Sequence, residues 1–192
     1  MEKVLVFLAD GFEEIEALTP VDFLRRAGLE VDTVSIKDDK KVMGAHNIPV
    51  LADKLIAEID PKDYVLSYIP GGLPGATNLR DDSRVIETIK AIEKNDGYVA
   101  AICAGPIVLE KAGLLQGKKA TSFPGFDKDL TSIDSYVDDE LVVVDGKIIT
   151  GRGPAIALYE ALKLVEILKG KEAMEELKNE IQQDKVEKYF GF

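Results

Sequence analysis

Residues Tyr98 to Leu109 read Y-V-A-A-I-C-A-G-P-I-V-L, an apolar run that stops at Cys103 just before a Gly-Pro pair. The run has the length and composition of a buried strand. Gly105-Pro106 then opens a helix, since proline is well accommodated at the first helical position. Cys103, the only cysteine of the chain, therefore falls where a strand turns into a helix. That is the arrangement of a nucleophile elbow, in which small neighbours let the backbone turn sharply and present one side chain. Ala101, Ala104 and Gly105 are the small neighbours here. Unpaired N–H groups and the helix dipole favour an anion at a helix N-terminus, so the thiol pKa is expected below the roughly 8.5 of a free cysteine. A lone cysteine in an apolar run also reads as a small buried hydrophobe. The local pattern leaves both readings open.

Two other segments converge on the same end of a sheet. Lys3 to Ala9 is a continuous apolar run of strand length, which suits a strand covered on both faces. After Asp10-Gly11, Glu13 to Leu18 begins a helix with its acids at the N-terminal end. Pro20 within Thr19-Pro20-Val21-Asp22 predicts a kink or restart, and the helix runs on to Arg26 and closes at Gly28. Glu16 is thereby placed near the carboxyl end of the first strand, where open parallel sheets bind their ligands. Tyr64 to Ile69 is the second such strand. The Pro70-Gly71-Gly72-Leu73-Pro74-Gly75 turn that leaves it is nearly free of side chains, so the Gly72 N–H can form one half of an oxyanion hole whose other half is the N–H of Ala104. The same turn also reads as a plain strand-to-helix connection.

The remaining pattern completes a sheet with helices on both faces. Glu30 to Ile36 is a strand, and Val42 to Leu51 reads as a hairpin whose tip, Gly44 to Asn47, carries His46. His46 has three readings: surface residue, pocket edge, or catalytic base. Asp53 to Ile59 is read as helical, as is Arg84 to Lys94 after the Asp82-Ser83 cap. Lys118 to Ser122 is a short strand ending in a turn at Phe123, and Asp127 to Tyr136 is loosely helical. Asp145-Gly146 marks a hairpin between Glu140–Val144 and Lys147–Thr150. Gly151 to Pro154 opens a long apolar helix, and Glu172 to Lys188 reads as one surface helix. No linker or repeat divides the chain, which predicts a single α/β domain over residues 1–192 with a mostly parallel sheet.

Composition narrows the function classes. Thirty-five acidic against 24 basic side chains give a net charge of -11, which argues against nucleic acid and anionic membranes as partners. One cysteine rules out an internal disulfide or a cysteine-rich metal site, and one histidine leaves little for zinc. Without a leader pattern or an apolar run near ~18 residues, the expectation is a cytoplasmic protein that uses neither metal nor cofactor.

The motifs together resemble the ThiJ/PfpI superfamily, and within it the branch of the Parkinsonism-associated protein deglycase. The matching stretches are L-A-D-G-F-E-E-I-E at Leu8 to Glu16, V-D-F-L-R-R-A-G at Val21 to Gly28, P-G-G at Pro70 to Gly72, A-A-I-C-A-G-P at Ala100 to Pro106 and G-R-G-P at Gly151 to Pro154. The resemblance implies a flavodoxin-like fold, a three-layer sandwich of the class I glutamine amidotransferase type. It implies a reactive cysteine at Cys103 whose thiolate is hydrogen-bonded by a protonated glutamate at Glu16, and an anion pocket at Gly72 and Ala104. It also implies a homodimer with Asp22 and Arg26 near the contact, and no cofactor. The activities it suggests are hydration of α-oxoaldehydes, or of glycated protein adducts, to 2-hydroxy acids; the alternatives are a non-enzymatic oxidative-stress sensor or chaperone, and a cysteine peptidase. Many members carry a histidine where this chain has Phe123, and the peptidase branch has one where this chain has Ala104. A cysteine–histidine pair therefore requires His46 to reach the pocket.

Overall fold

The computed structural model of the chain describes residues 3–191. Its elements in order are β1 (Lys3–Leu8), α1 (Glu14–Arg26), β2 (Glu30–Ser35), β3 (Lys41–Met43), β4 (Pro49–Leu51), β5 (Lys54–Leu55), β6 (Tyr64–Ile69), α2 (Gly75–Asp81) and α3 (Ser83–Lys94). There follow β7 (Tyr98–Ile102), α4 (Pro106–Ala112), β8 (Lys119–Ala120), β9 (Ser135–Tyr136), β10 (Val142–Asp145), β11 (Ile148–Gly151), α5 (Ala157–Lys169), α6 (Lys171–Glu180) and α7 (Gln183–Phe190). Seven strands form one sheet in the order β10-β11-β7-β6-β1-β2-β5. Every pairing is parallel except β10 with β11. With helices on both faces this is a flavodoxin-like α/β sandwich.

Strand alternation divides the core into two layers. Leu5, Phe7, Val99 and Ala101 face α3 and α4, where Val85, Ile89, Ile107 and Val108 are buried. Val4, Val6, Leu66, Tyr68, Ala100 and Ile102 face the other way, onto Val21 and Leu24 of α1 and Ala161, Leu164 and Val165 of α5. The central strands are covered on both sides, which accounts for their unbroken apolar sequence.

Several local expectations need correction. α1 is one continuous helix with Pro20 inside it; the missing N–H interrupts the hydrogen-bond ladder there without ending the helix, because Ala17, Val21 and Leu24 on the buried face hold it to the sheet. The segment read as helical from Asp53 supplies instead the edge strand β5 and a short 3-10 turn. The segment from Asp127 to Tyr136 holds a 3-10 turn and the strand β9, which pairs with β8. The C-terminal surface helix is two helices, broken at Gln182, whose φ is 64°. The helix α2 follows the glycine-rich turn directly, over residues 76–81 that the sequence reading left unassigned.

Candidate active site

The carboxyl ends of β1, β6, β7 and β11 bring together the start of α1, the Pro70–Gly75 turn, the elbow and Gly151. Cys103 has a φ of 62°, a left-handed backbone that costs a residue with a Cβ about 1–2 kcal/mol. Its own backbone is tied on both sides. The Cys103 N–H donates to the Gly151 carbonyl at 2.9 Å, and its carbonyl accepts the Phe123 N–H at 2.9 Å. A strained conformation over-determined in this way is what an elbow requires.

Around the partly exposed thiol stand the expected groups. The Ala104 and Gly72 backbone N–H groups lie close enough to the Cys103 thiol to favour its ionised form. Glu16 is fully buried, stands beside Cys103, and accepts the Gly71 N–H on Oε2 at 2.8 Å. Its Oε1 has no protein partner. Gly72 has a φ of +84°, and a Cβ there would lie 2.4 Å from the Glu13 nitrogen; one at Gly71 would lie 2.6 Å from Glu16 Oε2 and 2.7 Å from the Cys103 Cβ. Only glycines let this turn close over the thiol.

Electrostatics depart from the expected low thiol pKa. Burial, and then the Glu16 charge, push the Cys103 thiol up to about 12, against the lowering effect of the Ala104 and Gly72 N–H groups. Burial likewise raises Glu16 to about 7, although Cys103 and Gly71 bond to its ionised form. α4 begins three residues beyond Cys103 and is seven residues long, so its dipole does not outweigh burial beside a carboxylate. At neutral pH the thiol therefore keeps its proton while Glu16 is near its midpoint, and the ionised fraction of the carboxyl is the acceptor beside sulfur.

The family profile described as DJ-1/PfpI matches residues 2–167. The chain belongs to the DJ-1/PfpI family. It is 39% identical to Protein dj-1beta of Drosophila melanogaster over 176 residues, 92% of this chain and 94% of that protein. The solved structure of Drosophila melanogaster DJ-1beta superposes with a TM-score of 0.91 at 38% identity, covering 94% of this chain and 97% of that one. Oxidized Toxoplasma gondii DJ-1 gives a TM-score of 0.90 at 39% identity, covering 95% and 98%.

The other predicted positions of this DJ-1/PfpI chain lie outside the Cys103–Glu16 contact. His46 is 67% exposed at its side chain, with Nδ1 2.8 Å from Glu14 Oε2, and its backbone N–H donates to Glu14 Oε1 at 2.8 Å. The histidine is paired with Glu14 and not with the thiol. Glu13, Glu14 and His46 bring three ligand-type atoms within 4.8 Å of one another; the buried Glu14 spends its oxygens on holding the hairpin tip to the start of α1. Phe123 is half-exposed, and its ring packs against Gly153. Asp22 and Arg26 pair with each other at 2.7 Å, and Arg26 also reaches Glu180 at 2.8 Å. A cleft of about 530 Å3 beside Asp10, Lys37 and Asn78 includes neither Cys103 nor Glu16. Sequence reasoning missed Gly71 as the donor to Glu16 and Glu14 as the anchor of His46; the doubled glycine of P-G-G was the available signal for the first. Among the described residues no helix is long and apolar enough to cross a membrane.

Proposed function

We propose that this chain is a cofactor-independent enzyme of the glyoxalase or deglycase type, which converts α-oxoaldehydes, or their adducts on protein, to 2-hydroxy acids at Cys103. The observation that carries the reading is the buried Glu16 carboxyl set beside Cys103, where a Cβ at Gly71 would come within 2.6 Å of Glu16 Oε2 and 2.7 Å of the Cys103 Cβ. A carboxyl near 7 beside a thiol near 12 is suited to take the thiol proton as sulfur attacks, and to return a proton later. Cys103 Sγ adds to the aldehyde carbon, and its proton passes to Glu16. The developing oxyanion is held by the Ala104 and Gly72 N–H groups and protonated. Glu16 then takes the proton from the aldehyde carbon and returns it to the neighbouring carbon, while the hydroxyl proton on the first carbon passes to the neighbouring oxygen, so that the hemithioacetal becomes a thioester of the 2-hydroxy acid. Water cleaves the thioester and regenerates the thiol, and the sum is α-oxoaldehyde plus water to 2-hydroxy acid.

A second reading, oxidative sensing, is supported by the relative solved in an oxidized form. In it an oxidised Cys103 would rest on the same two N–H groups. Turnover separates the two readings, since only the enzyme releases product while Cys103 stays reduced. The experiment is lactate formation from methylglyoxal by metal-stripped protein beside Cys103→Ser. Lactate formed by the unmodified protein alone supports the enzyme; none from either sinks it. The peptidase reading lacks an imidazole at the thiol, since the single histidine pairs with Glu14.

We propose further that the chain works as a homodimer. Arg26 is engaged within its own chain, and the support lies instead in the exposed Ile15, Ile48 and Leu51 on either side of the Glu14–His46 contact, an apolar surface of the kind subunit contacts cover. Sedimentation of Leu51→Asp beside the unmodified protein tests this: a monomer for both would contradict it.

A further inference from the structure

A second buried carboxyl lies behind the elbow. Glu160, in the first turn of α5, is fully buried. Its Oε2 lies 3.4 Å from the Tyr68 hydroxyl, and its Oε1 has no protein partner. Among the described residues no lysine, arginine or histidine forms an ion pair with it; the titratable groups that act on it or on its Tyr68 partner are Tyr68 from β6, Glu16 from α1 and Cys103 at the elbow. A buried carboxylate without a cation is so costly that the group keeps its proton.

The carboxyl also has a mechanical contact. A Cβ at Gly151 would lie 2.4 Å from Glu160 Oε2 and 3.1 Å from Ile102, so the carboxyl lies directly against the Gly151 backbone, in space that a side chain there could enter only by displacing it. The carbonyl of that same Gly151 accepts the Cys103 N–H. One peptide therefore connects the Glu160 carboxyl to the strained residue that carries the thiol.

We propose that Glu160 is a proton-bearing positioning residue: in its neutral form it seats Gly151 and with it the Cys103 elbow, and its ionisation unseats them. Ionisation introduces a charge with no counter-ion, which must draw in water or move away from the Gly151 peptide. It also sets a negative charge beside the buried Tyr68 and near Glu16, where two carboxylate charges oppose each other. The elbow is thus tied to a proton that is separate from those of Cys103 and Glu16. The proposal takes Cys103 as the reacting group; detection of the acid itself stands apart from that reading.

Two measurements on the intact protein test it. Infrared spectra at pH 8, where exposed carboxyls are ionised, should contain the C=O band of a protonated carboxylic acid that is lost in Glu160→Gln. The rate of Cys103 alkylation by iodoacetamide, followed from pH 5 to 10, should break from its rise on the alkaline side in the unmodified protein and rise without a break in Glu160→Gln. At pH 7 the amide should support alkylation within about twofold of the unmodified rate, while Glu160→Leu should lose about tenfold, as the loss of one hydrogen-bonding contact predicts. Superimposable pH profiles for the unmodified protein and Glu160→Gln would overturn the proposal. Absence of the infrared band in the unmodified protein would do so even if the variants failed to fold.

Discussion

Glu16 and Cys103 lie side by side behind one glycine: a Cβ at Gly71 would come within 2.6 Å of Glu16 Oε2 and 2.7 Å of the Cys103 Cβ, and the Gly71 N–H holds that same Oε2 at 2.8 Å. The Glu16 charge raises the cost of ionising the thiol, whereas the thiol favours the ionised carboxyl, and burial opposes the charge on both. Replacing Glu16 with glutamine removes one charge and keeps a donor beside sulfur. The thiol pKa should then fall from about 12, while methylglyoxal turnover drops about 100-fold or more for want of the proton acceptor. Alkylation rate against pH, beside steady-state lactate formation, measures both; a thiol pKa that rises in Glu16→Gln would show that the carboxyl is the protonated partner of a pre-formed thiolate.

The same carboxyl imposes a pH dependence on folding. Glu16 titrates near 4.5 when unfolded and at about 7 in the fold, so the folded state binds the extra proton between those values. Its contribution is fully present below pH 4.5 and is lost as pH rises to 7, on the order of 3 kcal/mol across the window before coupling to Cys103 is counted. Urea unfolding of Glu16→Gln should therefore show a shallower loss of stability from pH 4.5 to 7 than the unmodified protein. Parallel curves would place the Glu16 proton loss outside that window.

Gly71 gives a sharper test of the turn that covers the site. A methyl there meets Glu16 Oε2 at 2.6 Å, the Cys103 Cβ at 2.7 Å and the Ala104 nitrogen at 2.9 Å, so it intrudes on the three groups proposed to carry the chemistry. Gly71→Ala should keep a native far-ultraviolet circular dichroism spectrum yet lose about 100-fold in turnover, the scale of a 1 Å misplacement in an active site. Full activity in this variant would separate the Pro70–Gly75 turn from the chemistry.

The elbow was legible in sequence because three local signals coincide within five residues: an apolar run, a lone cysteine and Gly105-Pro106. The parallel sheet was legible because β1, β6 and β7 are covered on both faces and therefore mostly apolar, Lys3 and Ser67 aside. What escaped depends on long-range partners. Glu160 reads as an ordinary first-turn acid of α5 until β11 and β6 are folded against it. The low thiol pKa expected from the elbow pattern took account of the helix and not of how deeply β7 and α1 bury the sulfur together with a carboxylate. Pro20 allowed either a kink or a restart in sequence, and the helix runs through it to Arg26 without restarting, while β5 is too short for any period to identify.

Phe123 separates carbonyl chemistry from peptide hydrolysis. Its N–H holds the Cys103 carbonyl at 2.9 Å, a contact made by backbone and therefore kept by any residue but proline. Its ring, against Gly153, brings no proton to the pocket. Amide hydrolysis must protonate a poor amine leaving group, which calls for an acid near neutral pKa, whereas addition of sulfur to an aldehyde expels no amine. Phe123→Ala should accordingly retain cysteine-dependent methylglyoxal turnover within about tenfold, a change of no more than about 1.4 kcal/mol in the barrier. The unmodified protein should cleave neither casein nor a short peptide above a Cys103→Ser control. Cysteine-dependent peptide cleavage that vanishes in His46→Ala would reverse the assignment, because it would require the histidine to leave Glu14 and reach the thiol.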